Sequence, residues 1–244
     1  MKILIVALSR HGAMVHYSIA HTNSLSAFAE VSVVTSKDVA LGSFDPKIKH
    51  YQIETGKKKV GTLLNAFNPR VYKELVAIAK ECGAEIAHLT VSHEWNPMVA
   101  WVLKKYLKLP LVYTVFDPTP HEGTPLYFLI PEVLVRLIPD AYIVQTDWLK
   151  EDFLSKGYAA DKTYVIQQGS YSAITQWRDK EIPKENMILF FGRIDLHKGI
   201  ETLLQAAPQV LEELPDWRIV IAGKGKFEPY RKLDGHERIE VINR

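Results

Sequence analysis

The chain has 244 residues, and its 30 Lys and Arg residues nearly balance its 28 Asp and Glu residues, giving a formal net charge of +2. A chain of ordinary globular composition with so little net charge has no broad basic field for a nucleic acid backbone, so nucleic acid is excluded as the expected partner. The single cysteine, Cys82, cannot form an internal disulfide, and a reducing cytoplasm suits it best.

No segment of the sequence predicts membrane insertion. The first apolar stretch, Ile3 to Leu8, is too short for a signal peptide. The longest, Leu126 to Ile138, contains Pro131, Glu132 and Arg136 and is shorter than the roughly 20 residues that cross a bilayer. We therefore expect a cytoplasmic protein.

Short apolar runs alternate with segments of helical period from the first residue onward. The predicted strands are Lys2–Leu8, Val31–Thr35, Glu85–Leu89, Leu111–Val115, Ala141–Val144 and Tyr164–Ile166. The predicted helices are Val15–Ala29, Pro69–Cys82, Pro97–Tyr106, Leu126–Leu137 and Trp148–Lys156, with Asn96 as the N-cap of the third. The alternation predicts an α/β fold with right-handed βαβ units and a parallel sheet in a domain of residues 1–170.

Residues 171–186 lose this periodicity and gather charged residues, which predicts a solvated linker. A second alternation fills residues 187–244. Its predicted strands are Met187–Phe191, Arg218–Ala222 and Ile239–Ile242, and its predicted helices are Gly199–Leu214 and Phe227–Leu233. Pro208 is expected to bend or restart the first of these helices.

Polar turns follow several predicted strands, where ligands of open parallel sheets bind. The turns are Ser9–Gly12, Thr90–His93, Phe116–Gly123 and Gln167–Ser170. Turns also collect polar residues and glycines without any function, and the sequence leaves both interpretations open. The apolar run Leu126–Leu129 could equally pack in the core or line an acceptor site.

The segment from Phe190 to Gly199 is the most specific signal. It ends a strand at Gly192, places Arg193 next, and reaches Lys198 and Gly199 where a helix begins. Free N–H groups at a helix N-terminus and two cations suit a diphosphate, although an ordinary surface pair would show the same spacing. A second glycine turn, with Gly223 and Gly225, offers bare backbone that a nucleotide could approach.

Residues 190–225, which read FFGRIDLHKGIETLLQAAPQVLEELPDWRIVIAGKG, resemble the opening of the C-terminal domain in retaining family-four glycosyltransferases of the GT-B fold. Residues 1–35, 109–123 and 139–172 resemble the same family in place and order. The resemblance implies two Rossmann-like domains, with residues 187–244 forming only the first βαβαβ part of the second. It also implies transfer of a sugar from a nucleotide-diphosphate sugar to an acceptor hydroxyl with retention, usually without a metal ion or other cofactor.

The resemblance assigns site residues as well. In the G-R-x4-K-G pattern of the family, the arginine and lysine bind the donor diphosphate, and these are Arg193 and Lys198 here. The remaining candidates for donor binding are Gly192, Gly199, Gly223 and Gly225. Candidates on the acceptor side are Gly12 and His16, together with Asp117 and His121 as the candidate catalytic residues.

Three departures from the family pattern leave other functions open. Phe116 precedes Asp117 where the family commonly has histidine, and Ile166–Gly169 reads I-Q-Q-G instead of I-P-H-G or I-P-N-G. The acidic E-x7-E segment of the family is expected beyond Ile242. A non-catalytic or partner-completed GT-B subunit is therefore the second hypothesis, and a sugar-nucleotide epimerase or phosphorylase the third.

The expected partners are a nucleotide sugar and an acceptor, which could be a glycan, a lipid-linked molecule or a small molecule. Lys57–Lys59, beside Val60, Leu63, Leu64 and Phe67, could contact the inner face of an anionic membrane or form a solvated loop. We expect further chain, a second copy or a partner to cover the short second domain. No metal site is expected, because no two of the nine histidines are four residues apart.

Overall fold

The computed structural model describes residues 1–10, 12–37, 39, 44–56, 61–62, 65–119, 126–170 and 183–243, with residues 126–128 and 196 described by their backbone only. The chain divides into two compact units, Met1–Arg178 and Asp179–Arg244. We call them unit 1 and unit 2.

Unit 1 is built on a seven-stranded sheet in the order β3-β2-β1-β4-β5-β6-β7, and every pairing in it is parallel. The strands are β1 Lys2–Ala7, β2 Glu30–Ser36, β3 Lys49–Ile53, β4 Ile86–Leu89, β5 Leu111–Thr114, β6 Ala141–Val144 and β7 Thr163–Val165. The predicted α/β class is confirmed. The edge strand β3 was not predicted, because of its five residues only Ile53 is fully buried and no apolar run marks it.

The helices of unit 1 are α1 Ala13–Leu25, α2 Pro69–Glu81, α3 Asn96–Trp101, α4 Leu126–Val135 and α5 Asp147–Ser155. A π-helical turn, Val102–Tyr106, continues α3. The predicted N-cap Asn96 is wrong, since Trp95 occupies that position and Asn96 lies inside the helix. The Asn96 side chain instead donates to the Val91 carbonyl at 2.7 Å and ties α3 to the loop after β4.

Both faces of the unit 1 sheet are buried. Along β1, Leu4 and Val6 belong to one apolar cluster, which includes Leu75 of α2, and Ile3 and Ile5 belong to the cluster on the opposite face. Burial on both faces explains why β1 reads as a continuous apolar run rather than an alternating one.

Unit 2 contains a three-stranded parallel sheet in the order β10-β9-β8. Its elements are β8 Met187–Phe191, α6 Ile200–Glu213, β9 Arg218–Gly223 and β10 Ile239–Asn243, with 3₁₀ turns at Leu196–Lys198 and Glu228–Tyr230. The second predicted helix is thus reduced to a 3₁₀ turn. Helix α6 does not restart at Pro208, which lies within it. The apolar face of α6 packs on the sheet, whereas Phe191 is 84% exposed.

Candidate functional site

The loops after β1 and β3 meet at the carboxyl edge of the unit 1 sheet, and the loop after β4 lies near enough for the Arg10 charge to act on His93. Arg10 donates to the Gly56 carbonyl and, at 3.3 Å, to the Thr62 hydroxyl. Burial lowers the pKa of His93 to about 4, with Glu94 acting in the opposite direction and the Arg10 charge in the same direction. His93 is therefore neutral at pH 7, and its 3.6 Å contact with Glu94 is not an ion pair there.

The candidate acceptor residues lie along this same edge. Gly12 is the N-cap of α1 with φ of 78°, a left-handed conformation that suits glycine, and His16 follows on α1, partly buried. Asp117 is exposed in the loop after β5. The rings of Tyr17 and Phe116 meet edge to face, with centroids 4.9 Å apart. This contact joins the start of α1 to the loop that carries Asp117.

A buried arginine fixes the backbone of that loop. Arg136 donates to the carbonyls of Asp117 at 2.9 Å and Pro118 at 3.0 Å, and pairs with Glu132 at 3.1 Å. Tyr113 donates to both oxygens of the Glu132 carboxylate. Burial raises the pKa of Tyr113, so its hydroxyl keeps its proton. Sequence reasoning missed this network, and the four-residue spacing of Glu132 and Arg136 in an apolar run was the available signal.

A row of uncharged polar side chains lies below the carboxyl edge of the unit 1 sheet. His21 Nε2 lies 3.3 Å from His88 Nδ1, and His88 Nε2 lies 2.8 Å from the Thr114 hydroxyl. Burial lowers the pKa of His21, and burial together with His21 lowers that of His88 to about 3. The two imidazoles therefore link α1, β4 and β5 by hydrogen bonds and carry no charge at neutral pH.

Several sequence predictions lie outside the described residues. These are His121, the basic segment Lys57–Lys59 with Val60, Leu63 and Leu64, and residues 171–182 of the predicted linker. Phe67, beside the basic segment, is described and exposed.

In unit 2 the candidate diphosphate residues Arg193 and Lys198 lie in the loop between β8 and α6. Arg193 and Lys198 are exposed, and neither has an ion-pair partner among the described residues. Gly199, with φ of 71°, is the N-cap of α6 and supplies no side chain to its N–H groups. A cleft of about 440 Å³ opens beside the loop. It is lined by Arg193, Ile194, Asp195, Lys224, Gly225, Lys226, Pro229 and Tyr230.

The packing of the protein's own backbone requires glycine at positions 223 and 225. A Cβ on Gly223 would lie 1.7 Å from the Gly192 carbonyl oxygen, and one on Gly225 would lie 2.0 Å from that of Ile194. Ile194 and Gly225 form a parallel bridge, so the two loops run side by side without room for side chains. The close approach of protein backbone accounts for these glycines without a ligand.

Solved structures share this architecture. HepE from Anabaena, in complex with UDP-glucose, is similar with a TM-score of 0.70 and 17% identity, over 100% of this chain and 69% of HepE. The UDP-GlcNAc 2-epimerase of Neisseria meningitidis, bound to UDP-GlcNAc, is similar with a TM-score of 0.62 and 14% identity, over 100% of this chain and 72% of the epimerase. The chain has the GT-B fold. Identities this low establish the fold alone.

Sequence comparison finds similarity to glycosyltransferases. Residues 173–240 match the family described as Glycosyl transferases group 1. The chain is also 28% identical over 243 residues to the D-inositol 3-phosphate glycosyltransferase of Segniliparus rotundus, over 89% of this chain and 50% of that protein. It thus spans about half the length of this curated relative. The chain thus has the GT-B fold and contains a segment that matches Glycosyl transferases group 1. No described helix is long and apolar enough to span a bilayer.

Proposed function

We propose that this chain transfers a sugar from a nucleotide-diphosphate sugar to an acceptor hydroxyl with retention of anomeric configuration. The observation that carries the proposal is the loop after β8, where the exposed cations Arg193 and Lys198 precede the start of α6. That loop lies inside the segment matching Glycosyl transferases group 1. The match to a glycosyltransferase family favours transfer over the epimerase activity of proteins that share the fold.

The charges in the donor cleft suit a departing nucleoside diphosphate. Arg193, Lys224 and Lys226 line the cleft together with one carboxylate, that of Asp195, which lies 3.5 Å from His197. When the bond to the sugar breaks, the diphosphate gains negative charge, so cations and helix N–H groups stabilise the transition state more than the ground state. This stabilisation needs no metal ion or other cofactor.

On the acceptor side, the proposal assigns hydroxyl recognition to Asp117, with His16 and Gly12 nearby on α1. An exposed carboxylate can accept a hydrogen bond from an acceptor hydroxyl. Because Arg136 holds the Asp117 carbonyl, the carboxylate starts from a fixed backbone position. Phe116 packs on Tyr17 and cannot donate a hydrogen bond or carry a proton. Other residues must therefore supply the hydrogen bond or proton that the histidine common in the family would provide at this position.

The donor site is tested by isothermal titration of the chain with UDP and with GDP. We expect at least one to bind, and the Arg193→Ala/Lys198→Ala double variant to bind it at least about 100-fold more weakly, because each charge-assisted hydrogen bond contributes about 1.5–3 kcal/mol. Lys184→Ala is the matched control, since Lys184 is exposed but precedes the amino end of β8. Unchanged affinity in the double variant would refute the assignment.

A further inference from the structure

An exposed tryptophan lies at the carboxyl edge of the unit 1 sheet. Trp148 is the second residue of α5, which begins at Asp147 soon after β6 ends. It is 69% exposed, although tryptophan is highly buried on average in folded proteins. The Thr146 hydroxyl accepts from the Leu149 N–H at 3.1 Å and caps the helix, so the indole belongs to an ordered first turn. A large apolar ring exposed at the edge where ligands of parallel sheets bind indicates a contact with a ligand.

The face of α5 that carries this indole also binds the loop that carries Asp117. Asp152 lies four residues after Trp148 and therefore on the same helix face. The Thr119 hydroxyl donates to both oxygens of the Asp152 carboxylate, at 3.0 and 2.9 Å. Because α5 begins at the carboxyl edge, Trp148 lies one helical turn nearer that edge than Asp152 does. The indole is therefore beside the loop after β5.

Three consecutive residues of that loop are held by other elements. The carbonyls of Asp117 and Pro118 accept from Arg136, and Thr119 is bound to Asp152. Strands β5 and β6, which lead into the loop and into α5, pair directly with each other. The carboxylate of the loop and the indole of α5 therefore start from fixed backbone positions on neighbouring elements, as a preformed binding site requires.

The charges at this edge favour an uncharged ligand. The carboxylates of Asp117 and Asp147 are exposed there. The nearby cations Arg136 and Lys156 are each paired with a carboxylate four residues earlier in the chain. Lys150 lies two residues beyond the indole and therefore on a different face of α5. The exposed carboxylates would repel a phosphorylated ligand, whereas hydroxyl groups can donate hydrogen bonds to them.

We propose that Trp148 is a specificity-determining residue whose indole stacks on the ring of an uncharged pyranose acceptor, while a hydroxyl of that ring donates to Asp117. A pyranose presents a flat face of C–H bonds and a rim of hydroxyls. The C–H face suits the electron-rich face of an indole, and the rim suits a carboxylate. The inference rests on the glycosyl transfer proposed above and adds the chemical class of the acceptor.

Saturation-transfer NMR of the full chain with the methyl α-glycosides of glucose, galactose and mannose tests the proposal. We expect at least one glycoside to bind, and glucose 6-phosphate and the acyclic polyol mannitol to bind more weakly. Trp148→Ala should weaken glycoside binding at least about fivefold, and Trp148→Phe should retain most of it because an aromatic face remains. Trp101→Ala is the matched control, since Trp101 is 51% exposed but ends α3.

A second variant tests the carboxylate. Asp117→Ala should also weaken glycoside binding at least about fivefold, and because Asp117 and Trp148 are exposed, both alanine variants should keep the unfolding temperature of the parent. Binding of none of the glycosides, an equal loss in Trp101→Ala, or tighter binding of glucose 6-phosphate would each overturn the proposal.

The NMR experiment contains no donor, so its result is separate from the titrations with UDP and GDP. Nucleotide binding without glycoside binding would refute the acceptor inference alone. Glycoside binding without nucleotide binding would refute the donor assignment and leave a sugar site at Trp148.

Discussion

The two units present their polar groups in opposite ways. At the carboxyl edge of unit 1, Arg10, Tyr113 and Arg136 are paired inside the protein and hold loops in place. In unit 2, Arg193 and Lys198 are exposed without ion-pair partners among the described residues. The first arrangement positions side chains accurately but has little charge to offer, whereas the second keeps charge available for an anion.

The units also differ in how their sheets are covered. The unit 1 sheet has an apolar cluster on each face, whereas the described apolar cluster of unit 2 lies on the α6 face and leaves Leu189 and Phe191 exposed. A small core provides little stability in reserve. Three substitutions test these differences between the units, and each changes one residue of one unit.

The largest effect is expected from Gly223→Ala. The new Cβ would overlap the Gly192 carbonyl, and since backbone must move, we expect a loss of at least about 4 kcal/mol. Hydrogen exchange should then show β8 to β10 unprotected while β1 to β7 stay protected. Gly235→Ala is the control, because no atom lies within 4 Å of its added Cβ. Unchanged protection in unit 2 would show that the two loops separate easily.

The second effect concerns the fixed loop of unit 1. Arg136→Met removes the buried donor of the Asp117 and Pro118 carbonyls and the cationic partner of Glu132, which should cost about 3 kcal/mol of unfolding free energy. Chemical denaturation measures it. Arg70→Met, at an exposed arginine of α2, should stay within about 0.5 kcal/mol of the parent. Equal stability of the two variants would argue against a preformed acceptor edge.

The smallest of the three effects is a pH dependence. Burial lowers the pKa of His88 to about 3, so between pH 6.5 and 3 the unfolded chain binds more protons than the folded one, and stability falls as pH falls. From pH 7 to 5, His88 should account for a loss of about 2 kcal/mol. Denaturation at both pH values should show that loss reduced in His88→Gln and retained in His197→Gln. Parallel pH profiles for parent and His88→Gln would contradict the assignment.

Much of the fold could be predicted because buried parallel strands are continuous apolar runs. Strands β6 and β8 have the predicted bounds, Ala141–Val144 and Met187–Phe191, and the other predicted strands differ by one residue at one or both ends. The exceptions have local causes. Strand β3 lies at an edge and lacks an apolar run. The proline after Asn96 predicts that Asn96 is a cap, but its side-chain amide donates to the Val91 carbonyl instead.

The sequence could predict only those parts of the candidate site whose residues are close together in the chain. The β8–α6 loop is one continuous segment, so Arg193 and Lys198 are visible together. The contacts of Arg136 with the Asp117 loop and of Tyr17 with Phe116 join residues far apart in sequence, and no local pattern reveals them. The sequence predicts a glycine turn at Gly223 and Gly225, but the backbone contact that requires glycine there is with the loop after β8, which lies far away in sequence.

The position of β1 has a consequence for synthesis. This strand is made before both of its neighbours in the sheet, β2 and β4, and Ile3 pairs with both Val31 and Ile86. At about 5–20 residues per second, a ribosome needs roughly 4–16 seconds to add the residues that separate β1 from β4. Throughout that interval the nascent chain exposes one edge of an apolar strand, and we expect early-binding chaperones to recognise it there.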